Sequence, residues 1–372
     1  MAKYKLGDIC EIVSGSTPKT SIEEYWDGDI KWITPAEIND DTYIVTDSVR
    51  KITDLGAKKT GLSPFPEGTV ILSSRAPIGK VAIAGCAMCC NQGFKNLICS
   101  EKILNKYLYW FLKGNTSFLN SLGRGATFKE ISKSIVSQIE INVPDIECQK
   151  EAVDILEKVS EVISLRKQEL TALDDLIKAR FVEMFGNPVI NEKRWKQKML
   201  GEITTKIGSG ATPKGGKGAY QEEGITLIRS MNVHNVLFEY KELAHISDEQ
   251  AAKLDNVAIE ENDVLLNITG ASVARSCVVP SKILPARVNQ HVCIIRCKEC
   301  IIPEFLNKLL INNNYQDLLW SIAGAGATRE AITKQQVESL QIIMPPIELQ
   351  NEFMRFCNQV DKSKVVMQKV LE

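Results

Sequence analysis

Residues 147–185 read ECQKEAVDILEKVSEVISLRKQELTALDDLIKARFVEMF, 39 residues without a glycine or a proline. Leu156, Ile163, Leu170, Ile177 and Met184 recur every seven residues, Val159 and Leu173 form a second apolar row, and Ile155, Val162 and Leu176 widen the stripe. This spacing predicts a helix whose seam seeks a partner helix. At 1.5 Å per residue the helix would extend about 58 Å, far more than one compact domain needs to cover its core. The stretch is therefore expected to be a spacer or scaffold, in preference to a buried helix of a single large domain. Gly186-Asn187-Pro188 should end it, because glycine tolerates a left-handed cap and proline cannot continue the ladder.

A chain of 372 residues has room for two domains, or two and a connector. With 44% apolar and 24% charged residues it can bury sizeable cores. No run approaches the length of a membrane span and MAKYKLGDICEI lacks an apolar signal core, so a cytoplasmic protein is expected. The 11 cysteines are then expected to be reduced and mostly buried. Two CxxC spacings, Cys86/Cys89 and Cys297/Cys300, lie in different halves without a second pair or a histidine cluster to complete four ligands, so no metal site is expected. A net charge of -1 gives no overall basic footprint. The basic residues are partly segregated, however: Lys206, Lys214 and Lys217 fall within residues 204–220, where there is no acid, while the long helix is rich in Glu and Asp.

The chain repeats itself. Leu6-Gly-Asp-Ile9 returns as Leu200-Gly-Glu-Ile203, Gly15-Ser-Thr-Pro-Lys19 as Gly210-Ala-Thr-Pro-Lys214, and Asn91-Gln92 as Asn289-Gln290. Gly123-Arg-Gly-Ala-Thr127 then returns as Gly324-Ala-Gly-Ala-Thr328, and Val143-Pro-Asp-Ile-Glu-Cys-Gln-Lys-Glu151 as Met344-Pro-Pro-Ile-Glu-Leu-Gln-Asn-Glu352. The offset drifts from 194 (Leu6 to Leu200) to 201 (Val143 to Met344), as small loop insertions would produce. One accidental match would mean little, but matches in the same order along both halves argue for duplication of a globular domain followed by a helix. Within the first half, strands are expected at 30–34, 43–45, 69–73, 81–84, 95–99 and 139–143, a helix at 105–113 with an extension at 118–121, and a helical turn at 130–134. The second helix, residues 348–372, has Phe353, Val360 and Met367 seven apart with Phe356 and Val370 as a second row, and ends about fifteen residues short of where the first helix meets its stop. Two such helices can satisfy one another as an antiparallel pair, with the two domains at its opposite ends about a pseudo-twofold axis.

The duplicated GxTPK turn, WITPAEI at 32–38, SSRAPIGKVAI at 73–83, ARFVEMFGNP at 179–188 and the proline-led starts of both helices, PDIECQKE and PPIELQNE, together resemble the specificity (S) subunit of type I restriction-modification systems. The resemblance covers essentially the whole chain. It implies a mixed α/β (α+β) fold: a target-recognition domain at 1–145, a central spacer helix at 146–186, a second recognition domain at 187–345 and a short distal spacer helix at 346–372. Each domain would read one half of a split DNA target. The helices, through Leu156, Ile163, Leu170, Ile177, Phe353, Val360 and Met367, would set the spacing and dock two methyltransferase subunits, with restriction subunits joining the full complex. S-adenosylmethionine, ATP and Mg are expected on those partners and none on this chain. The residues agree in offering no chemistry: there is no GxxxxGK[ST] loop, no Asn/Asp-Pro-Pro-aromatic methylation motif and no acidic-plus-lysine nuclease cluster, and His234, His245 and His291 are scattered. The alternative class is a coiled-coil interaction scaffold with no DNA role.

Phosphate contacts want Lys, Arg, hydroxyls and bare amides, while base edges want Arg, Lys, Asn or Gln on a rigid loop. The GxTPK turns offer Ser16, Thr17 and Lys19, and Thr212 and Lys214 with Lys217 just beyond; a plain surface turn is the competing reading. Arg75 and Lys80 flank Pro77 and Gly79 after an apolar strand, where the competing reading is a salt-bridged arginine. The matching stretch, Asn267 to Arg275, has no arginine at the place of Arg75. Asn91, Gln92, Asn289 and Gln290 could meet adenine edges or cap turns, and capping is favoured. Arg124 and Lys129, with Arg329 in the second half, stand beside the GxGAT loops, whose glycines would let backbone approach a phosphate. Trp32 reads as core and the run Lys193-Arg-Trp-Lys196 as a solvated face.

Overall fold

The computed structural model describes residues 2–75, 77–125, 129–213, 215–324 and 330–371, apart from the side chains of residues 217, 219, 370 and 371. The chain divides into two compact units, Met1–Ser164 and Leu165–Glu372. The central helix, Ile146–Phe185, belongs to the first unit over its opening turns and to the second thereafter.

Each unit builds the same three sheets from matching sequence. The start of the first unit is tied to its end: Ala2–Lys5 pairs antiparallel with Glu140–Val143, Ala2 opposite Val143. Gln197–Met199 and Gln341–Ile343 do the same in the second unit, Gln197 opposite Ile343. The main sheet of the first unit runs Cys10–Ser14, Lys95–Cys99, Val70–Leu72, Val81–Ala84, with Ile44–Val45 added at the edge. Its counterpart runs Thr204–Ser209, Val292–Cys297, Val264–Asn267, Ser276–Val278. The third sheet places Trp26–Ile33 between antiparallel Arg50–Ile52 and parallel Cys89–Cys90, and the second unit repeats it with Ile225–Ile228 between antiparallel Ala244–Ile246 and parallel Ala286–Val288.

Val81–Ala84 and Val264–Asn267 are buried at every position, and apart from Asn267 they read as apolar runs, as strands covered on both faces do. The helix Asn105–Gly114 covers the main sheet of the first unit with Leu108, Tyr109 and Leu112, and Pro303–Leu310 covers that of the second with Phe305, Leu306 and Leu309. One expected element moves. The helical turn expected at 130–134 forms at Lys133–Ser137, capped by the Ser132 hydroxyl, which accepts from the Ile135 amide at 3.2 Å. Glu130 and Ile131 are instead drawn into extended pairing with Arg124 and Ser74.

Both long helices are pinned to their own unit by a fully buried glutamine near their first turn. Gln149 Oε1 accepts from the Leu104 amide at 2.8 Å, and its Nε2 donates to the carbonyls of Pro144 at 2.9 Å and Lys102 at 3.0 Å. Gln350 Oε1 accepts from the Ile302 amide at 3.0 Å, and its Nε2 donates to Pro345 at 3.0 Å and Cys300 at 3.4 Å. Farther along the first unit's part of the central helix, Glu157 is bonded by the Tyr43 hydroxyl and by Lys106 Nζ at 2.9 Å. Burial works to raise its pKa, but these two donors outweigh it and leave the carboxyl lowered.

Within the second unit the central helix and the distal helix, Ile347–Leu371, run antiparallel. Arg180 meets Glu352 at 3.2 Å, and Asp174, nearer the start of the central helix, meets Lys364, farther along the distal one, at 2.6 Å. Burial alone would lower the Lys364 pKa, yet the bond to Asp174 raises it. The pair is anchored by an aromatic cluster: Phe185 lies 5.0 Å from Phe305 and 5.5 Å from Phe353, and Phe181 lies 5.6 Å from Phe353, ring centre to ring centre.

The predicted seam is only partly used. Ile177, Phe353 and Val360 are buried and Leu170 and Met367 half-buried, but Leu156 and Ile163 remain 40% and 39% exposed, together with Ile155, Val159 and Val162. The buried face of the paired half is Ile177, Phe181 and Phe185, a spacing of four that the heptad reading passed over. Phenylalanines at that spacing turn the helix toward the unit's own core.

Among the described residues no helix is long and apolar enough to cross a membrane, and no group of three or more His, Cys, Asp or Glu stands close enough to hold a metal ion.

Candidate nucleic-acid interface

The GxTPK turn and the Asn-Gln pair, 75 residues apart from Thr17 to Gln92, form one assembly. Gly15 passes so close beneath the end of strand Cys89–Cys90 that a Cβ would stand 2.1 Å from the Asn91 carbonyl oxygen and 2.2 Å from that of Cys90, which only glycine permits. The Ser16 amide donates to the Cys90 carbonyl at 3.0 Å, the Trp32 indole donates to the Ser16 carbonyl at 2.9 Å, and the Trp26 indole donates to the Lys19 carbonyl at 3.2 Å. The Thr17 hydroxyl donates to Gln92 Oε1, while Asn91 turns inward and caps its own turn by accepting from the Gly93 amide at 2.8 Å. Two side chains are left pointing out from a braced base: Lys19 and Gln92 are exposed.

The second unit repeats the assembly. A Cβ on Gly210 would fall 1.6 Å from the Val288 carbonyl oxygen, and the Gly210 amide donates to the Asn289 carbonyl at 3.1 Å. The Thr212 hydroxyl donates to Gln290 Oε1. Asn289, 5% exposed, accepts from the His291 amide at 3.0 Å, and Gln290 is exposed. Lys214 and Arg329 lie outside the described residues, as does the side chain of Lys217.

Next to this assembly the two units part company. In the first, Arg75 and Arg124 both pair with the backbone of Glu130, whose carboxylate lies 3.9 Å from the Arg75 guanidinium and 3.2 Å from the ammonium of Lys95. Lys95 is only 7% exposed and reaches Ser74 Oγ at 3.3 Å. Arg124 and Lys129 are exposed and Arg75 is half-buried. Lys80 does not join them: its ammonium donates to the Pro35 carbonyl at 2.9 Å, and its amide donates to Ser73 Oγ at 2.8 Å, closing the loop.

In the second unit the same backbone pairing sets Thr269 against Ala331 in the places of Arg75 and Glu130. Strand register puts Cys293 where the first unit has Lys95, opposite Ser209 as Lys95 is opposite Ser14. His291 stands in the place of Gly93, with Nδ1 2.5 Å from Thr269 Oγ1 and Nε2 3.1 Å from Gln290 Nε2. Arg275 lies half-buried at the far end of its loop, away from the Thr269 position.

Sequence reading thus named the outward residues and missed what holds them: Glu130, Lys95, Ser74, Thr269 and His291. Glu130 could have been found, as a lone carboxylate beside Lys129 in a loop otherwise basic. The thiols take no part. Burial pushes Cys89 up to about 11 and Cys90, Cys277, Cys293 and Cys297 up to about 12, which keeps them protonated packing groups.

The model of the type I restriction modification DNA specificity domain matches residues 1–174 and again 192–371. The chain belongs to the type I restriction-modification DNA specificity family. Its function is DNA sequence specificity within such a system. It is 31% identical over 371 residues to the type I restriction enzyme MjaIX specificity subunit of Methanocaldococcus jannaschii, across 94% of this chain and 84% of that one. The fold is that of a chain in a solved type I R-M system (TM-score 0.63, 17% identity, 99% of this chain and 92% of that one). It is also that of the type I restriction-modification S subunit from M. genitalium (TM-score 0.52, 14% identity, 100% and 91%). For a member of this specificity family, a turn assembly built twice and furnished differently each time is the feature to explain.

Proposed function

We propose that each unit reads one half of a bipartite DNA target with the side chains left outward by its braced turn. In the first unit these are Lys19, Gln92, Arg124 and Lys129, with the half-buried Thr17 and Arg75 beside them; in the second they are Thr212 and Gln290, to which the sequence adds Lys214, Lys217 and Arg329. Lysines and backbone amides hold phosphates and fix the register, while Gln92, Arg75 and Gln290 meet base edges. The observation that carries this is the repeated Thr-Gln brace with unlike neighbours: Arg75, Glu130 and Lys95 in one unit against Thr269, Ala331 and Cys293 in the other. Two copies of one scaffold with different outward chemistry suit two different short sequences.

The central and distal helices then act as a spacer and as the docking surface for two methyltransferase subunits, the exposed row Ile155, Leu156, Val159, Val162 and Ile163 being apolar surface for such contacts. Restriction subunits join in the cytoplasm, S-adenosylmethionine, ATP and Mg are bound by the partners, and this chain performs no chemistry of its own. Methylome mapping with and without the gene tests the reading: one split methylated sequence should vanish on deletion. Purified chain with its methyltransferase subunit should bind that sequence selectively, with affinity falling steeply as salt rises. Absence of sequence-selective binding overturns it.

A further inference from the structure

In the second unit a chain of four side chains runs through Gln290 and holds it on both flanks. The Thr212 hydroxyl donates to Gln290 Oε1, Gln290 Nε2 lies 3.1 Å from His291 Nε2, and His291 Nδ1 lies 2.5 Å from Thr269 Oγ1. A threonine hydroxyl gives or takes a hydrogen bond by rotating, so both ends of the chain adapt. The middle cannot. An amide nitrogen only donates, so His291 Nε2 accepts, and the ring proton sits on Nδ1, from which it is donated to Thr269. Turning the amide over would bring Oε1 to the ring and require a proton on Nε2. Amide orientation and ring proton are therefore locked together.

The ring is itself well seated: the His291 amide donates to Asn289 Oδ1 at 3.0 Å, and the His291 carbonyl accepts from the Ile268 amide at 3.0 Å. In the first unit Gly93 stands in this place, and among the described residues Thr17 is the one side chain bonded to the Gln92 amide. Gln92 is braced on one side and Gln290 on both.

We propose that His291 is a specificity-determining positioning residue, holding the exposed Gln290 amide from its second flank so that it meets DNA in one place and one plane. The proposal rests on Gln290 reading a base, as put forward above. A bidentate amide pairs with an adenine edge only when both of its polar atoms lie in reach and in plane. An amide held on both flanks meets one base position in one pose, whereas an amide held on one flank swings and accepts several.

The test is selection from a pool of randomised duplexes by the full chain assembled with its methyltransferase subunits. His291→Phe fills the ring's space without a hydrogen bond, and should lower base discrimination about tenfold at one position of one half-target, leaving the other half unchanged. His291→Gln, which can still offer an acceptor, should restore much of it. His291→Gly, the residue the first unit carries, should behave as His291→Phe does and serves if the larger ring is not accommodated. Gln290→Ala should lose discrimination at the same position. The proposal is overturned if the His291 variants keep every preference, if the loss spreads across the whole half-target together with lowered thermal stability, or if Gln290→Ala changes nothing. A wild-type complex that selects no sequence removes the DNA reading itself, whereas a selective wild type with indifferent His291 variants removes this inference alone.

Discussion

Glu130→Ala should destabilise the first unit by about 2 kcal/mol, because it strands a charge that has almost no water. The Lys95 side chain is 9% exposed, with the Glu130 carboxylate at 3.2 Å as its ion partner and Ser74 Oγ at 3.3 Å as its other bond. Removing one member of a buried pair costs about 3 to 5 kcal/mol when both are dry. Glu130 is 40% exposed, so solvent already screens part of the attraction and the figure falls to about 2 kcal/mol. The nearby Arg75 guanidinium, 3.9 Å from the same carboxylate, loses its partner too and adds repulsion. The second unit builds the same sheet with Cys293 and Ala331 at these two places, so the scaffold itself does not need the pair. Lys95→Met combined with Glu130→Ala should therefore return to within about 1 kcal/mol of wild type, an apolar side chain replacing the stranded ammonium. Hydrogen exchange read by peptide reports each unit separately. Peptides over Val70–Leu72 and Lys95–Cys99 should lose protection in Glu130→Ala, while those over Val264–Asn267 and Val292–Cys297 stay unchanged as an internal control. A Glu130→Ala change under about 0.5 kcal/mol, or a double variant as labile as the single one, would refute the reasoning.

Three further outcomes follow from the same geometry. Gln149→Leu removes the partners of one buried amide and two carbonyls and should destabilise the start of the central helix by about 3 kcal/mol, seen as faster exchange at Leu104 and over the first turns, with Gln350→Leu doing the same to the distal helix. Phe353→Ala empties the centre of the cluster formed with Phe181, Phe185 and Phe305, and should cost about 3 to 5 kcal/mol in thermal unfolding of the second unit while leaving exchange in the first unit unaltered. Lys19→Ala, at an exposed lysine with a braced backbone, should weaken DNA binding evenly across sequences and reduce the slope of log affinity against log salt by about 1, measured by titration at several salt concentrations.

The elements that sequence made legible are those set by short-range periodicity. The central helix falls at Ile146–Phe185, one residue from its reading, and Val81–Ala84 and Lys95–Cys99 lie where strand-like runs put them. Glycine and proline marked the turns because backbone geometry there admits few residues. What stayed hidden depends on long-range pairing. Residues 130–134 read as a helical turn, yet Glu130 and Ile131 are pulled straight by nearby Arg124 and by Ser74, which sequence could not bring near them. The heptad rows were real but too generous: a period of seven cannot say which part of a stripe finds a partner, and Phe181 and Phe185 decided it by reaching the core of the second unit. In the matching turns, residue type favours capping for all four amides, whereas Asn91 and Asn289 cap and Gln92 and Gln290 are exposed. The threonine behind each glutamine needed the fold.

A duplicated chain supplies its own comparison, and the pattern of agreement and difference within it is informative. Gly15 and Gly210, Asn91 and Asn289, the Thr-Gln braces, and Gln149 and Gln350 match between the units: the glycines prevent a clash, the asparagines and the two buried glutamines satisfy backbone, and the braces join side chain to side chain. The replacements gather around one spot: Arg75 by Thr269, Gly93 by His291, Lys95 by Cys293, Glu130 by Ala331. Drift constrained only by packing would have kept size and polarity in a slot this close to the core. Instead a charged trio in the first unit is replaced by a His-Thr pair in the second, and both sets bond or flank side chains that point outward. Exchanging these four residues between the units should therefore exchange the bases preferred at the positions they serve, while the braces, common to both, keep each unit folded. If the four-residue exchange leaves both half-targets as they were, recognition lies in the loops outside this slot, and the difference between the units here is one of packing alone.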